Sequence, residues 1–257
     1  MRRRNVVGLT AVAAAGILVA RRWQLRWGAT AGESAETLPG DDLISDPDLA
    51  ATRAITIGAM TRHNDVNTSP VVAKAIPVLA KMAGLIGDPA VRHMGTIGGS
   101  VANNDPNADY PAACLGLGAT IITNKRRIKA DDFFTGMFST ALEPAEIITK
   151  VIFPVPKKAA YQKFRNQASR FALVGVFVSK RGSEIRVAVT GAGSNGVFRV
   201  KSFEEALKKR FSPKSLEGMS IPADGMNADI HGSAEYRAHL VSVLARRAVA
   251  EAVGKSA

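Results

Sequence analysis

Residues 86–112 read IGDPAVRHMGTIGGSVANNDPNADYPA, and the placing of glycines, hydroxyls and acids among them decides how the chain is read. Thr96, Ile97, Gly98, Gly99 and Ser100 put two glycines between hydroxyl residues. Lacking a Cβ, glycine reaches backbone angles closed to other residues and lets peptide N–H groups approach a ligand closely. Consecutive N–H groups form an anion-binding concavity, and Thr and Ser hydroxyls add donors, so the loop suits a pyrophosphate. A Gly-Gly pair alone is more often a turn, and this is not the G-x-G-x-x-G of a Rossmann unit. What strengthens the reading is the Asn/Asp-rich loop that follows, with Asp105, Pro106 and Asp109, where a carboxylate can accept from ribose hydroxyls. Asp109 reads equally well as a helix N-cap ahead of Pro111.

Outward from this stretch the periodicity mixes helices and strands. Residues 71–85 space Val72, Ile76, Leu79, Ala80 and Ala83 at helical intervals, and Pro77 makes that helix kinked or two-part. Residues 111–117 read as a short helix stopped by Gly118, 119–123 as a strand, 131–134 as a short capped segment, and 147–153 as a strand closed by Pro154. Residues 172–179 and 185–190 read as alternating antiparallel strands around a turn at 180–183. Residues 202–209 and 234–253 have helical periodicity, the second run capped by Ser233. Hairpins among helices predict an α+β fold rather than a doubly wound sheet.

The chain has 257 residues, 46% of them apolar, with 34 Lys and Arg against 22 Asp and Glu, a formal charge of +12. That composition is globular, and the length suits one large domain or two small ones. A single cysteine, Cys114, excludes an intramolecular disulfide framework, a four-cysteine iron–sulfur cluster and a Cys-rich zinc site. His63, His93, His231 and His239 show no metal-ligand spacing, so no metal is expected. The basic residues are scattered, without the interleaved aromatics of a nucleic-acid surface, and no nucleic acid is expected as partner. Such a surface is either simply solvated or a dock for an acidic partner.

The N-terminus stands apart. Arg2, Arg3 and Arg4 precede an uncharged run over 5–20, and Arg21 and Arg22 follow it. Sixteen helical residues span about 24 Å against a hydrocarbon core of about 30 Å. Residues 1–29 are therefore an apolar helix with three readings: membrane anchor, signal-like segment or buried helix. Location in the cytoplasm or at a membrane follows from that choice. Residues 30–57 are acidic and rich in turn formers, and read as a linker. Residues 25–57, LRWGATAGESAETLPGDDLISDPDLAATRAITI, weakly resemble the opening of membrane-tethered polyketide-cyclase-like lipid-binding proteins.

From residue 58 onward the chain resembles another family. IGAMTRHNDV, the 86–112 stretch, KFRNQASRFALVGVF, VAVTGAGSNGVFR and DIHGSAEYRAHLV occur in order as in the FAD-binding medium subunit of the molybdenum hydroxylases, the xanthine dehydrogenase and aerobic carbon-monoxide dehydrogenase group. The resemblance implies the second part of a vanillyl-alcohol-oxidase-type (PCMH) FAD domain over 58–157. A C-terminal domain of a small antiparallel sheet plus helices follows over 158–257. It places the family's second pyrophosphate loop on Thr96, Ile97, Gly98, Gly99 and Ser100, and the ribose- or adenosine-side acid on Asp109. Further cofactor contacts fall on Ile86, Ile148 and Arg165, the first two also being ordinary core positions.

It implies a molybdopterin-containing large subunit and a small two-cluster [2Fe-2S] subunit as partners. Electrons would pass from the latter through FAD to a quinone, NAD or oxygen, with no catalytic residue in this chain and no hydroxylase activity alone. One departure is plain. Relatives carry an Ala-Gly-Gly-x-Ser/Thr loop in a first subdomain, and none occurs before Ile57, where the nearest sequence is Thr30, Ala31, Gly32 and Glu33. That first half-site is read as missing, which would weaken FAD binding by orders of magnitude. Rival readings are a flavin-less docking or scaffold remnant, a membrane-tethered lipid-binding protein, and a freestanding flavin oxidase.

Overall fold

The computed structural model describes residues 53–254. The predicted N-terminal apolar helix and the first part of the linker lie outside them. Strand β1 covers Ala54–Gly58 and pairs antiparallel with β6, Ile148–Pro154, in the register Ile57↔Val151. The described end of the supposed linker is thus a sheet strand. Its apolar Ile55 and Ile57 earn that place by packing on the core. β6 also pairs with β2, Thr120–Thr123, and β2 with β3, Arg127–Lys129, giving the order β1-β6-β2-β3.

Short helices cover this sheet, several of them started by a recognisable device. Helix α1 covers His63–Thr68, and the segment with Pro77 is two helices, α2, Pro70–Ala75, and α3, Pro77–Gly84. Proline stands at the first position of α2, α3 and α4, Pro89–Met94, where its missing N–H costs nothing. Ser69 caps α2 by accepting from the Val72 N–H at 3.3 Å, and Asp88 caps α4 by accepting from the Val91 N–H at 2.9 Å. α5, Ile97–Asn103, and α6, Asp109–Leu117, follow, and Gly118 closes α6 at φ 65°. Such left-handed closure is easiest for glycine. The short α7, Ala130–Phe133, leads into a small ribbon of β4, Phe134–Gly136, and β5, Ser139–Thr140.

The second sheet has the order β10-β9-β8-β7. β7 is Lys158–Arg165, β8 Ala172–Arg181, β9 Glu184–Thr190 and β10 Phe198–Arg199. Pairing continues to Arg181↔Glu184, so the expected four-residue turn is the two residues Gly182 and Ser183, with Gly182 at φ 58°. β8 does not alternate buried with exposed, because helices cover both its faces. Phe177 and Ser179 face α6, while Val174, Val176 and Val178 lie in the second core with α9, Ala234–Ala252, and with α8, Lys201–Lys209, which packs on β9. A strand covered on both faces reads as a continuous apolar run. Ser233 caps α9 as expected, accepting from the Tyr236 N–H at 3.2 Å.

α6 is buried along its whole length between the two sheets. It joins Leu79, Ile97, Val101 and Phe153 of the first core to Tyr161, Phe177 and Ala188 of the second sheet. No helix among the described residues is long and apolar enough to cross a membrane.

Candidate functional site

The glycine-rich loop is built by two backbone segments fastened side by side. After β1 the chain turns at 58–61, and the loop at 95–98 lies against it. The His63 N–H donates to the Gly95 carbonyl at 2.9 Å, the Ile97 N–H to Thr61 at 2.9 Å, and the Gly98 N–H to Ala59 at 2.8 Å. The Ala59 N–H in turn donates to the Thr149 carbonyl at 2.9 Å, which ties the loop to β6 beside Ile148. Two glycines allow this closeness. A Cβ on Gly98 would stand 2.5 Å from the Ala59 Cβ, and one on Gly95 would stand 2.5 Å from His63 Nε2.

This geometry corrects the expectation of an open nest of peptide amides. Ile97 and Gly98 spend their N–H groups on the turn opposite. Those of Gly99 and Ser100 go to Thr96 Oγ1 at 3.1 Å and to the Thr96 carbonyl at 3.0 Å, because Thr96 is the N-cap of α5. What faces outward is a different surface. Gly99 is exposed, and a Cβ there would meet only Thr96 Oγ1 at 3.1 Å. The partly exposed Thr96 and Ser100 carry hydroxyls, and Met60 and Met94 on the adjoining segments are 83% and 81% exposed. Behind the loop, His63 and Tyr110 are buried with ring centroids 5.3 Å apart, and His63 Nδ1 and the Tyr110 hydroxyl have no protein partner. Burial lowers the His63 pKa and raises that of Tyr110 well above the ordinary tyrosine range, so both side chains are neutral near pH 7.

The acids after the loop are committed elsewhere. Asp105 Oδ1 accepts from the Asn107 N–H at 2.8 Å, a local turn. Asp109 is not an N-cap: Ala108 holds that position, and Asp109 is the first residue of α6. Its buried carboxylate accepts from the Tyr161 hydroxyl and, at 2.8 Å, from Lys163 Nζ. Burial pushes the Asp109 pKa above the usual carboxylate range, against the opposing pull of the Lys163 charge and of hydrogen bonds from Lys163 and Tyr161.

Lys163 is the residue that sequence reading missed. Its side chain is 4% exposed, and Nζ also donates to the Leu85 carbonyl at 3.2 Å. It therefore gathers three of the expected cofactor contacts: Ile86 next to Leu85, Asp109 itself, and Arg165 two residues along β7. Ile86 and Ile148 are half-buried against the first core, and Arg165 is exposed at the end of β7. The sequence signal was the alternation of Tyr161 and Lys163 on one face of a strand, visible only once β7 itself is recognised.

Comparison with known proteins places this arrangement. The FAD binding domain in molybdopterin dehydrogenase matches residues 49–156, and the CO dehydrogenase flavoprotein C-terminal domain matches residues 159–252. The nicotine 6-hydroxylase medium subunit of Paenarthrobacter nicotinovorans is 36% identical over 212 residues, 77% of this chain and 75% of that protein. The carbon monoxide dehydrogenase medium chain of Hydrogenophaga pseudoflava is 31% identical over 227 residues, 81% and 79% of the two chains. A solved structure of carbon monoxide dehydrogenase from Hydrogenophaga pseudoflava superposes with a TM-score of 0.69 at 31% identity, covering 79% of this chain and 76% of that one. The chain belongs to the family of FAD-binding medium subunits of the molybdenum hydroxylases.

The cofactor of the matched domain is FAD, and the residues present fit part of it. The bare Gly99 backbone and the hydroxyls of Thr96 and Ser100 form a polar edge that a diphosphate can approach without meeting a side-chain carbon. The fit is through hydroxyls at a helix start rather than through the interior amides of the loop.

Proposed function

We propose that this chain is the electron-transfer flavoprotein subunit of a molybdenum hydroxylase complex. It would receive electrons from a small two-cluster iron–sulfur subunit after a molybdopterin-containing large subunit has oxidised the substrate. Quinone, NAD or oxygen would be the acceptor. The observation that carries the reading is the fastening of 58–63 to 95–98. It spends two glycines on backbone closeness and leaves a third, Gly99, bare beside two hydroxyls. FAD supplies an isoalloxazine that accepts and releases electrons, while the protein's part is to hold and orient it. Within that division Thr96 and Ser100 hold the diphosphate, Ile86 and Ile148 pack near the ring system, and Arg165 and Asp109 take the sugar and charge contacts. No described residue of this chain is assigned a catalytic role in this reading.

FAD titration of the purified chain, with Gly99→Asp as control, tests this. A carboxylate at that edge opposes phosphate, so the variant should bind at least tenfold more weakly. Equal affinity in both proteins would remove the loop from the reading. The consumed amides favour one alternative, a docking subunit that carries no flavin. A colourless complex that still assembles with both partners would establish it.

A further inference from the structure

We propose that Lys163 is a positioning residue for the cofactor, acting through Asp109 and the Ile86 segment. The inference rests on the flavoprotein reading above. Lys163 and Asp109 form an ion pair in which both side chains are 4% exposed, at 2.8 Å, between two layers of the fold. Such a pair is a poor device for stability. Desolvating two charges is costly, and a well-packed apolar pair of similar volume is often as stable or more so. What a buried pair does supply is a fixed geometry, since each partner demands the other. Here the geometry has three ends. Nζ holds the Asp109 carboxylate at the start of α6 and the Leu85 carbonyl at 3.2 Å, and the backbone of Lys163 lies in β7 ahead of Arg165. Tyr161, two residues earlier on the same strand, donates its hydroxyl to the other Asp109 oxygen. The carboxylate is thereby fixed through both oxygens.

Three contacts that the cofactor would use come from segments far apart in the chain, and this one ammonium ties them into a single frame. Loss of the tie should leave a folded protein whose cofactor is held loosely and in altered surroundings. A merely structural pair would change unfolding and nothing else.

The test compares FAD binding and the visible circular dichroism of bound flavin with thermal unfolding in three proteins. Lys163→Gln removes the ammonium, leaves Asp109 in place and keeps an amide N–H that can donate to its carboxyl. It should unfold within a few degrees of the parent, yet bind FAD at least tenfold more weakly, with changed visible dichroism. Lys163→Arg keeps the charge pair, and with it the fold, but its longer planar head displaces the Leu85 carbonyl. It should weaken FAD binding about threefold or more. Parental affinity and dichroism in both variants would overturn the positioning role and leave the flavoprotein reading standing. A parent chain that takes up no FAD would overturn that reading itself.

Discussion

The loop edge and the C-terminal sheet of this protein are finished in opposite ways. On the sheet, β8 is closed by α6 on one face and by α9 on the other. Its glycine neighbours are space-savers: a Cβ on Gly116 would stand 2.5 Å from Phe177 Cδ1. At the loop edge, Met60 and Met94 stay more than four-fifths exposed, and Gly99 has nothing near a Cβ except its own cap. Every apolar residue at the centre of β8 is covered. The comparison also separates two adjacent glycines by purpose. Gly98 belongs to the closed part of the molecule and Gly99 to the open part.

Five substitutions put this contrast under strain. The largest effect is expected at Arg237, a fully buried residue of α9 whose Nη1 donates to the carbonyls of Leu173 and Gly191, both at 2.8 Å, and whose Nη2 donates to Asp229 at 2.7 Å. Arg237→Met strands two buried carbonyls at once and should cost about 3 kcal/mol, read as a lower midpoint in urea unfolding. An unchanged midpoint would show that the sheet end does not depend on this clasp.

Next comes Gly98→Ala, which drives a Cβ into Ala59 and should cost about 1–3 kcal/mol while abolishing FAD binding. The same change at Gly99 should move stability by less than about 0.5 kcal/mol. If the two alanine variants behave alike, the distinction between closed and open glycines fails.

Ser233→Ala removes the cap of the longest described helix and should cost about 1 kcal/mol. Calorimetry of the purified variant measures it.

The smallest effect concerns acid. Glu146 is held at about 2 by the Arg126 guanidinium, then by the Glu143 N–H and the Thr123 hydroxyl, with burial acting against them. Because that value lies below the carboxyl's ordinary one, the clasp contributes fully above pH 5 and fades as pH falls towards 2. Glu146→Gln should therefore flatten the pH dependence of unfolding in this window. An equally steep curve would place the acid sensitivity elsewhere.

The legible parts of this chain were those governed by local chemistry. Pro77 announced a break between helices, Gly182 a hairpin turn and Ser233 a cap, because each acts through its own backbone or its nearest neighbours. Thr96 was legible as a hydroxyl beside two glycines, but not as the cap that absorbs the Gly99 amide. That assignment depends on where α5 begins. α1, α4 and β7 escaped notice: the two helices are only six residues each, and β7 mixes lysines with apolar residues. Asp109 was ambiguous for a related reason. Its local setting allowed a cap or a ligand contact, and the partner that claimed it lies 54 positions further along the chain.

The amino-acid sequence by itself settled the membership of this protein in its family and its mixture of helices with antiparallel strands. Motif order, periodicity and turn chemistry are all written in one dimension. Only the tertiary structure decided which amides the loop keeps for itself, that β1 begins before the supposed linker ends, and that a buried lysine joins three distant segments. Hydrogen bonds between remote backbones and the pairing of buried charges depend on which surfaces the chain brings together. No run of neighbouring residues records that.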